Sequence, residues 1–129
     1  MKEQVNHWLG KTKLQAALWV IGRRLKQRSQ DNPEFQHLLK EKDFILQLQT
    51  HDQSVVWHYI IRDQAITARQ GIHQAPSSII SFIDAPYALQ LILKPKTNLF
   101  IAGLQTKEII ASGDMAHLMW FAQIGKYLR

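Results

Sequence analysis

The sequence predicts an α+β domain in which helices cover a five-stranded, largely antiparallel sheet, preceded by an additional N-terminal helical segment. Residues 3–28 contain no proline and are rich in helix-forming residues. Residues 43–83 change to short alternating or β-branched runs separated by turns, which is the pattern of strands. Residues 84–128 then return to helices around one more strand, so helices layered on one face of a sheet are expected.

The first helix has two apolar faces instead of one. At 100° per residue, one face carries Val5, Trp8, Leu9, Ala16, Trp19 and Val20, and the opposite face carries Leu14, Leu18, Ile21 and Leu25. A helix packed on a core needs only one such face. We therefore expect either a break near Gly10 or a cover over both faces. Pro33 then opens a short second helix that extends to Lys42.

The remaining elements follow from turn and cap residues. Asp84 and Asp114 are predicted N-caps of the two helices that follow them. The expected order is strands at 43–49, 54–62, 65–71 and 77–83, helices at 85–93 and 97–104, a strand at 107–112 and a helix to 128. We divide the chain into a basic helical segment, 1–42, and a domain, 43–129.

Composition excludes several classes of protein. The 129 residues are 46% hydrophobic and 20% charged, as in a single globular domain, and they include no cysteine. Disulfide frameworks, thiolate zinc sites and cysteine nucleophiles are thereby excluded. The longest apolar run, residues 16–22, is about a third of a membrane span. We expect a cytoplasmic protein, with peripheral contact to the inner membrane as the alternative location.

Catalytic and metal-binding motifs are missing from the sequence. The six histidines show no metal-ligand spacing, and no nucleophile elbow, phosphate loop or dinucleotide fingerprint occurs. The carboxylates stand mostly at turns and caps. The sequence therefore predicts no metal site, no cofactor and no enzymatic activity.

The basic charge lies mainly at the N-terminus. Residues 1–42 hold nine basic and four acidic side chains, so this segment suits a phosphate-bearing surface. Cations that flank an apolar helical segment are typical of helices lying on anionic lipid. The predicted membrane or partner contacts are Lys11, Lys13, Trp19, Ile21, Arg23 and Arg24. Nucleic acid is disfavoured because the tryptophans do not alternate with basic residues on one strand face.

The last helix is apolar on two faces, one with Met115 and Leu118 and the other with Trp120 and Ile124. A last helix in so small a domain seldom has protein on both sides. We expect one face to close the sheet and the other to border an apolar cavity, a membrane or a partner.

Several local sequences resemble the sterol carrier protein 2 (SCP2-like) lipid-binding family. Residues 109–115, Ile-Ile-Ala-Ser-Gly-Asp-Met, are similar to that family's last strand and the turn into its C-terminal helix. Residues 56–60 and 65–68 fit its antiparallel meander, and residues 78–82 fit its fourth strand, followed by Asp84. The resemblance covers roughly residues 40–128. The small basic chain is also similar to bacterial relatives that are accessory lipid carriers in ubiquinone biosynthesis.

The resemblance implies a five-stranded sheet with helices that enclose an apolar tunnel. It also implies that the protein carries a sterol, an acyl chain or a prenylated quinone precursor without changing it covalently. The implied lipid-lining residues are Phe82, Leu91, Phe100, Leu104, Met115, Leu118, Met119 and Ala122. Presentation of the lipid to an enzyme or a membrane is an implied role. The alternative is an interaction module in which the first and last helices bind a partner protein or a second copy of the chain.

Overall fold

The computed structural model of the chain describes residues 2–94 and 96–128, with side chains described within 10–94, 96–125 and at 127. In chain order the elements are α1 (Lys2–Asp31), α2 (Pro33–Leu39), β1 (Phe44–Thr50), β2 (Val56–Arg62), β3 (Ala65–Gln70), β4 (Ser78–Phe82), α3 (Ala85–Leu93), α4 (Thr97–Thr106), β5 (Ile109–Gly113), α5 (Met115–Gln123) and a 3₁₀-helix (Ile124–Leu128). The predicted α+β class and the order of elements are confirmed, with boundaries displaced by a few residues.

The five strands form one sheet in the order β3-β2-β1-β4-β5. Three of the pairings are antiparallel, and the central pairing of β1 with β4 is parallel. In the register, Leu46 lies opposite Tyr59 on one side and Ser78 on the other. All three side chains are buried, which places them on the face that the helices cover.

Asparagine and aspartate side chains cap the N-termini of three helices. Asn32 Oδ1 accepts from the backbone N–H of Phe35, and Pro33 occupies the first turn of α2. Asp84 accepts from the N–H of Tyr87, and Asp114 accepts from the N–H of Ala116. The predicted caps at 84 and 114 are confirmed.

Helix α1 is continuous through Gly10 and buries only one of its two apolar faces. Leu14, Leu18, Ile21 and Leu25 are core residues. Tyr59 Oη donates to the carbonyl oxygen of Leu18 at 2.9 Å, and burial raises the pKa of that tyrosine. Trp19, on the other face, is 50% exposed. The expectation of a break or of two covered faces is therefore wrong from Gly10 onward, and Val5, Trp8 and Leu9 lie outside the described side chains.

A glycine permits the close approach of α1 to the edge strand β3. A Cβ atom built on Gly22 would lie 2.5 Å from the Cβ of Ala68 and 3.5 Å from the ring of Tyr59. The helix backbone at Gly22 therefore lies against the Ala68 methyl group, and the first helix is packed on the sheet.

We expect Gly22→Ala to lower the free energy of unfolding by about 1–2 kcal/mol, because overpacking costs about 1–3 kcal/mol and helix propensity returns up to about 1 kcal/mol. Ala68→Gly should destabilise the native chain but stabilise the Gly22→Ala variant, because it removes the clashing methyl group. Urea denaturation of the native chain, the two single variants and the double variant measures whether the effect of Ala68→Gly on the free energy of unfolding changes sign. Additive effects would show that α1 does not pack against β3 in this way.

Both faces of the last helical segment are covered by this same chain. Tyr127 packs on Phe35 of α2 with ring centroids 5.2 Å apart, and its Oη donates to Glu34 at 2.7 Å. Trp120 lies edge-on to Phe44 of β1 at 5.1 Å. The expectation that this face borders a membrane or a partner is therefore wrong for Trp120 and Tyr127, because α2 and the start of β1 cover them.

The hydrophobic core crosses the boundary that the sequence suggests at residues 42 and 43. Leu14, Leu18 and Phe35 belong to the same buried cluster as Leu46 and Phe82. Arg28, near the end of α1, donates from Nε to the carbonyl oxygen of Tyr127 at 3.3 Å. Residues on both sides of the boundary thus build one core.

Candidate functional site

Seven of the eight predicted lipid-lining residues are part of the hydrophobic core or pack against it. Phe82 of β4, Leu91 of α3, Phe100 of α4 and Leu118 and Ala122 of α5 are all buried in one cluster. Leu104 and Met119 are partly buried and pack against that cluster. All seven side chains thus belong to, or pack against, the hydrophobic core, and we call these seven the apolar layer.

Met115 does not belong to the apolar layer. It is the first residue of α5 and is 49% exposed. Met115 follows the Asp114 cap directly and lies at the exposed start of α5, whereas Leu118, three residues later, enters the core. The expectation that Met115 forms an inner wall is corrected accordingly.

Helix α4 is attached to the core through a narrow contact. Phe100 is fully buried and meets Phe121 edge-to-face at 6.1 Å. A Cβ atom on Gly103 would lie 2.4 Å from Tyr87 Oη and 2.6 Å from Ile109 Cδ1, so the helix backbone rests directly on its neighbours. Leu99 and Ile101, by contrast, are 40% and 44% exposed. Phe100 and Gly103, together with the partly buried Leu104, therefore hold α4 against the core.

A polar and aromatic cluster, which was not anticipated from the sequence, lies where β1 and β4 begin. The His117 ring stacks on Phe44 with centroids 4.0 Å apart and planes 7° apart, and His117 Nδ1 shares a hydrogen bond with Ser78 Oγ. Burial lowers the pKa of His117; Lys42 acts in the same direction and Asp114 opposes it. The i, i+3 spacing of His117 and Trp120 indicates a shared helix side. Nothing in the sequence indicates that Phe44 lies beneath both.

Of the six predicted membrane or partner contacts, four are exposed on α1, Lys11 is half-buried and Ile21 is buried. Trp19 lines an open groove of about 680 Å³ together with Val20, Arg23, Arg24, Lys26, Gln27 and Gln30. The Arg23 guanidinium stands 5.0 Å from the Trp19 ring centroid, a cation–π contact. We call the group Trp19, Arg23, Arg24 and Lys26 the basic face. Lys13 is exposed two turns earlier, and Lys11 is half-buried.

Ile21 is the buried residue among these predicted contacts. It is 6% exposed and belongs to the hydrophobic core, because it follows Leu14 and Leu18 along the packed face of α1. It does not reach the surface that contains Trp19. The basic face therefore has one large apolar side chain among cations.

Two features are missing from the described part of the chain. No group of three or more histidine, cysteine, aspartate or glutamate side chains within residues 2–94 and 96–128 is placed to hold a metal ion. Over the same residues, none of the helices has the length and apolarity that crossing a membrane requires.

Solved structures share this architecture. The structure titled UbiJ-SCP2 Ubiquinone synthesis protein matches with a TM-score of 0.65 and 12% identity, over 87% of this chain and 95% of that one. A crystal structure of sterol carrier protein 2 matches with a TM-score of 0.61 and 14% identity, over 89% and 95% of the two chains. The chain has an SCP2-like fold. This SCP2-like fold also matches palmitated SCP2L2 from Aedes aegypti, with a TM-score of 0.54 and 19% identity over 82% and 91% of the chains.

No protein-family model and no curated protein sequence matches this chain. The SCP2-like fold expected from residues 109–115 and the meander is thus supported by structural likeness. The match over 87% of the chain exceeds what residues 43–129 supply, so part of the N-terminal segment belongs to the shared SCP2-like fold.

Proposed function

We propose that this chain binds and carries a hydrophobic lipid without chemically altering it. The observation that supports the proposal best is the SCP2-like fold, shared over most of the chain with proteins named as sterol carriers. One of them, SCP2L2 from Aedes aegypti, is described as palmitated. The apolar layer supplies the surface that an acyl or isoprenoid chain requires.

The lipid lies, in this proposal, along the apolar layer, with α4 as its outer wall. The side chains of that layer carry no nucleophile, acid or base, so they exclude water and contribute contacts. Burying each methylene group stabilises the complex by about 0.8 kcal/mol, and binding strength then follows chain length.

A sterol, an acyl chain or a prenylated quinone precursor satisfies these requirements. The quinone precursor is proposed because the structure titled UbiJ-SCP2 is named as a ubiquinone synthesis protein. Carriage then means keeping a poorly soluble precursor in a cytoplasmic binding site and presenting it to an enzyme or a membrane.

The basic face is the proposed membrane contact. Its cations attract anionic headgroups, and an exposed tryptophan among them is typical of a side chain that lies at the membrane–water interface. Its position on the outer side of α1 leaves the packed side of that helix undisturbed. Contact with a membrane would allow the protein to collect or release its lipid.

An interaction or dimerisation surface is the second candidate, and the half-exposed Trp19 favours it. Size-exclusion chromatography with light scattering of the full chain distinguishes the two. A stable dimer that becomes monomeric in Trp19→Glu would favour this candidate. Ile21→Glu is unsuitable as a test because it places a carboxylate in the core.

Lipid binding is tested with saturated fatty acids of increasing length, by displacement of a fluorescent lipid. We expect each added methylene to lower the Kd about fourfold until the apolar layer is filled. Leu104→Ala, on the inner side of α4, should weaken binding about fivefold, and Leu99→Ala on its outer side should leave it unchanged. Protein that extracts no lipid and shows no saturable binding at any chain length would refute the proposal.

A further inference from the structure

Trp120 has a buried donor with no acceptor. The side chain is 7% exposed, and no atom of the described residues accepts a hydrogen bond from its Nε1. Trp57, which is equally buried, donates from Nε1 to Gln15 Oε1 at 2.6 Å. Of these two buried indole N–H groups, that of Trp57 has an acceptor within the described residues and that of Trp120 has none.

An unpaired buried donor is costly, because it loses its hydrogen bond to water and gains none in the protein. Native structures leave few such groups, and those that exist require an explanation. Phenylalanine would fill much of the same space without that cost. The indole N–H of Trp120 is therefore placed as if a guest molecule supplies its acceptor.

The surroundings of Trp120 indicate which part of a guest lies there. The indole packs edge-on to Phe44, whose other neighbour is the His117 ring. His117 in turn is tied to Ser78, and the exposed Lys42 lies near enough to affect its pKa. This is the rim of the core, where aromatic surface meets polar groups.

Trp120 also belongs to the same buried cluster as Phe100, Leu118 and Ala122. Because Trp120 stands between Leu118 and Ala122 on α5, a guest chain that follows the apolar layer along α5 would reach this rim. An end with an oxygen atom would accept from the indole, whereas a purely apolar end would leave the donor unpaired.

We propose that the Trp120 indole N–H donates a hydrogen bond to an oxygen at the polar end of the bound lipid. This inference rests on the proposed function and specifies the ligand class: an apolar chain that ends in a carbonyl or carboxylate oxygen. Trp120 is thus the group that fixes which end of the lipid lies at the start of β1.

The experiment uses three matched probes, tridecane, 2-tridecanone and tridecanoic acid, with the ¹⁵N-labelled full chain. The ketone and the acid should shift the Trp120 indole N–H resonance downfield, and tridecane should not. The Trp57 resonance, already hydrogen-bonded to Gln15, serves as the internal reference. A shift with only one of the two oxygenated probes distinguishes a carbonyl from a carboxylate as the partner.

Trp120→Phe should weaken binding of an oxygenated probe about tenfold more than binding of tridecane, because any cavity it leaves affects all three probes alike. Equal weakening of all three, or an unchanged Trp120 resonance in the bound native chain, would overturn the inference while lipid binding stands. Failure of all three probes to bind would instead count against the proposed function. The resonance measurement on the native chain decides the matter even if the variant does not fold.

Discussion

Phe100→Ala is expected to lower the free energy of unfolding by about 3–5 kcal/mol, the usual cost of removing a fully buried phenylalanine. The ring is completely inaccessible and meets Phe121 edge-to-face, so its loss removes contacts on several sides. It is also the only large side chain that the described part of α4 buries fully, so the helix loses its main attachment. Urea denaturation followed by tryptophan fluorescence measures the change.

Ile101→Ala is the matched control, because Ile101 follows Phe100 directly and is 44% exposed. We expect that variant to stay within about 0.5 kcal/mol of the native chain. Similar losses in the two variants would mean that α4 is not docked through Phe100. A large loss in Phe100→Ala alone would support α4 as a wall of the apolar layer.

Reversing three charges on the basic face should weaken binding to anionic vesicles about a hundredfold or more. Each lysine or arginine near an anionic membrane surface contributes about 1 kcal/mol. Arg23→Glu, Arg24→Glu and Lys26→Glu together remove about 3 kcal/mol of attraction and add repulsion. Co-sedimentation with vesicles containing phosphatidylserine measures the effect, and vesicles of phosphatidylcholine alone give the baseline.

The control variant carries Lys94→Glu, Lys96→Glu and Lys107→Glu. These lysines are exposed around α4, and the change in net charge is the same as in the first variant. We expect little loss of vesicle binding, because attraction of this kind falls off within a Debye length of the membrane. Equal losses in the two variants would show that overall charge, not the basic face, governs the contact.

The class and element order could be predicted because they depend on local patterns. Alternation and β-branched runs locate the strands, and Asp84 and Asp114 act as caps through bonds to N–H groups two or three residues away. Each of these patterns involves residues only a few positions apart, so it can be recognised in the sequence alone. The residues of the apolar layer were predicted from the family resemblance, which indicates which strands and helices enclose the lipid.

The predictions were wrong where burial depends on contacts between residues that are far apart in the sequence. Periodicity places Trp19 and Ile21 on different faces of α1 but does not say which face the sheet covers. Met115 has the character of a wall residue, yet it is the first residue of its helix and its side chain is half exposed. Phe44 and Trp120 meet across 76 positions of sequence, and no local signal records that contact.

The contact between Arg28 and Tyr127 joins residues that are 99 positions apart. During translation, the first helix is therefore made long before the residues that complete its packing. Until residues 124–128 leave the ribosome, the part of α1 that packs against them lacks part of its cover, and the nascent chain exposes more apolar surface than the folded domain.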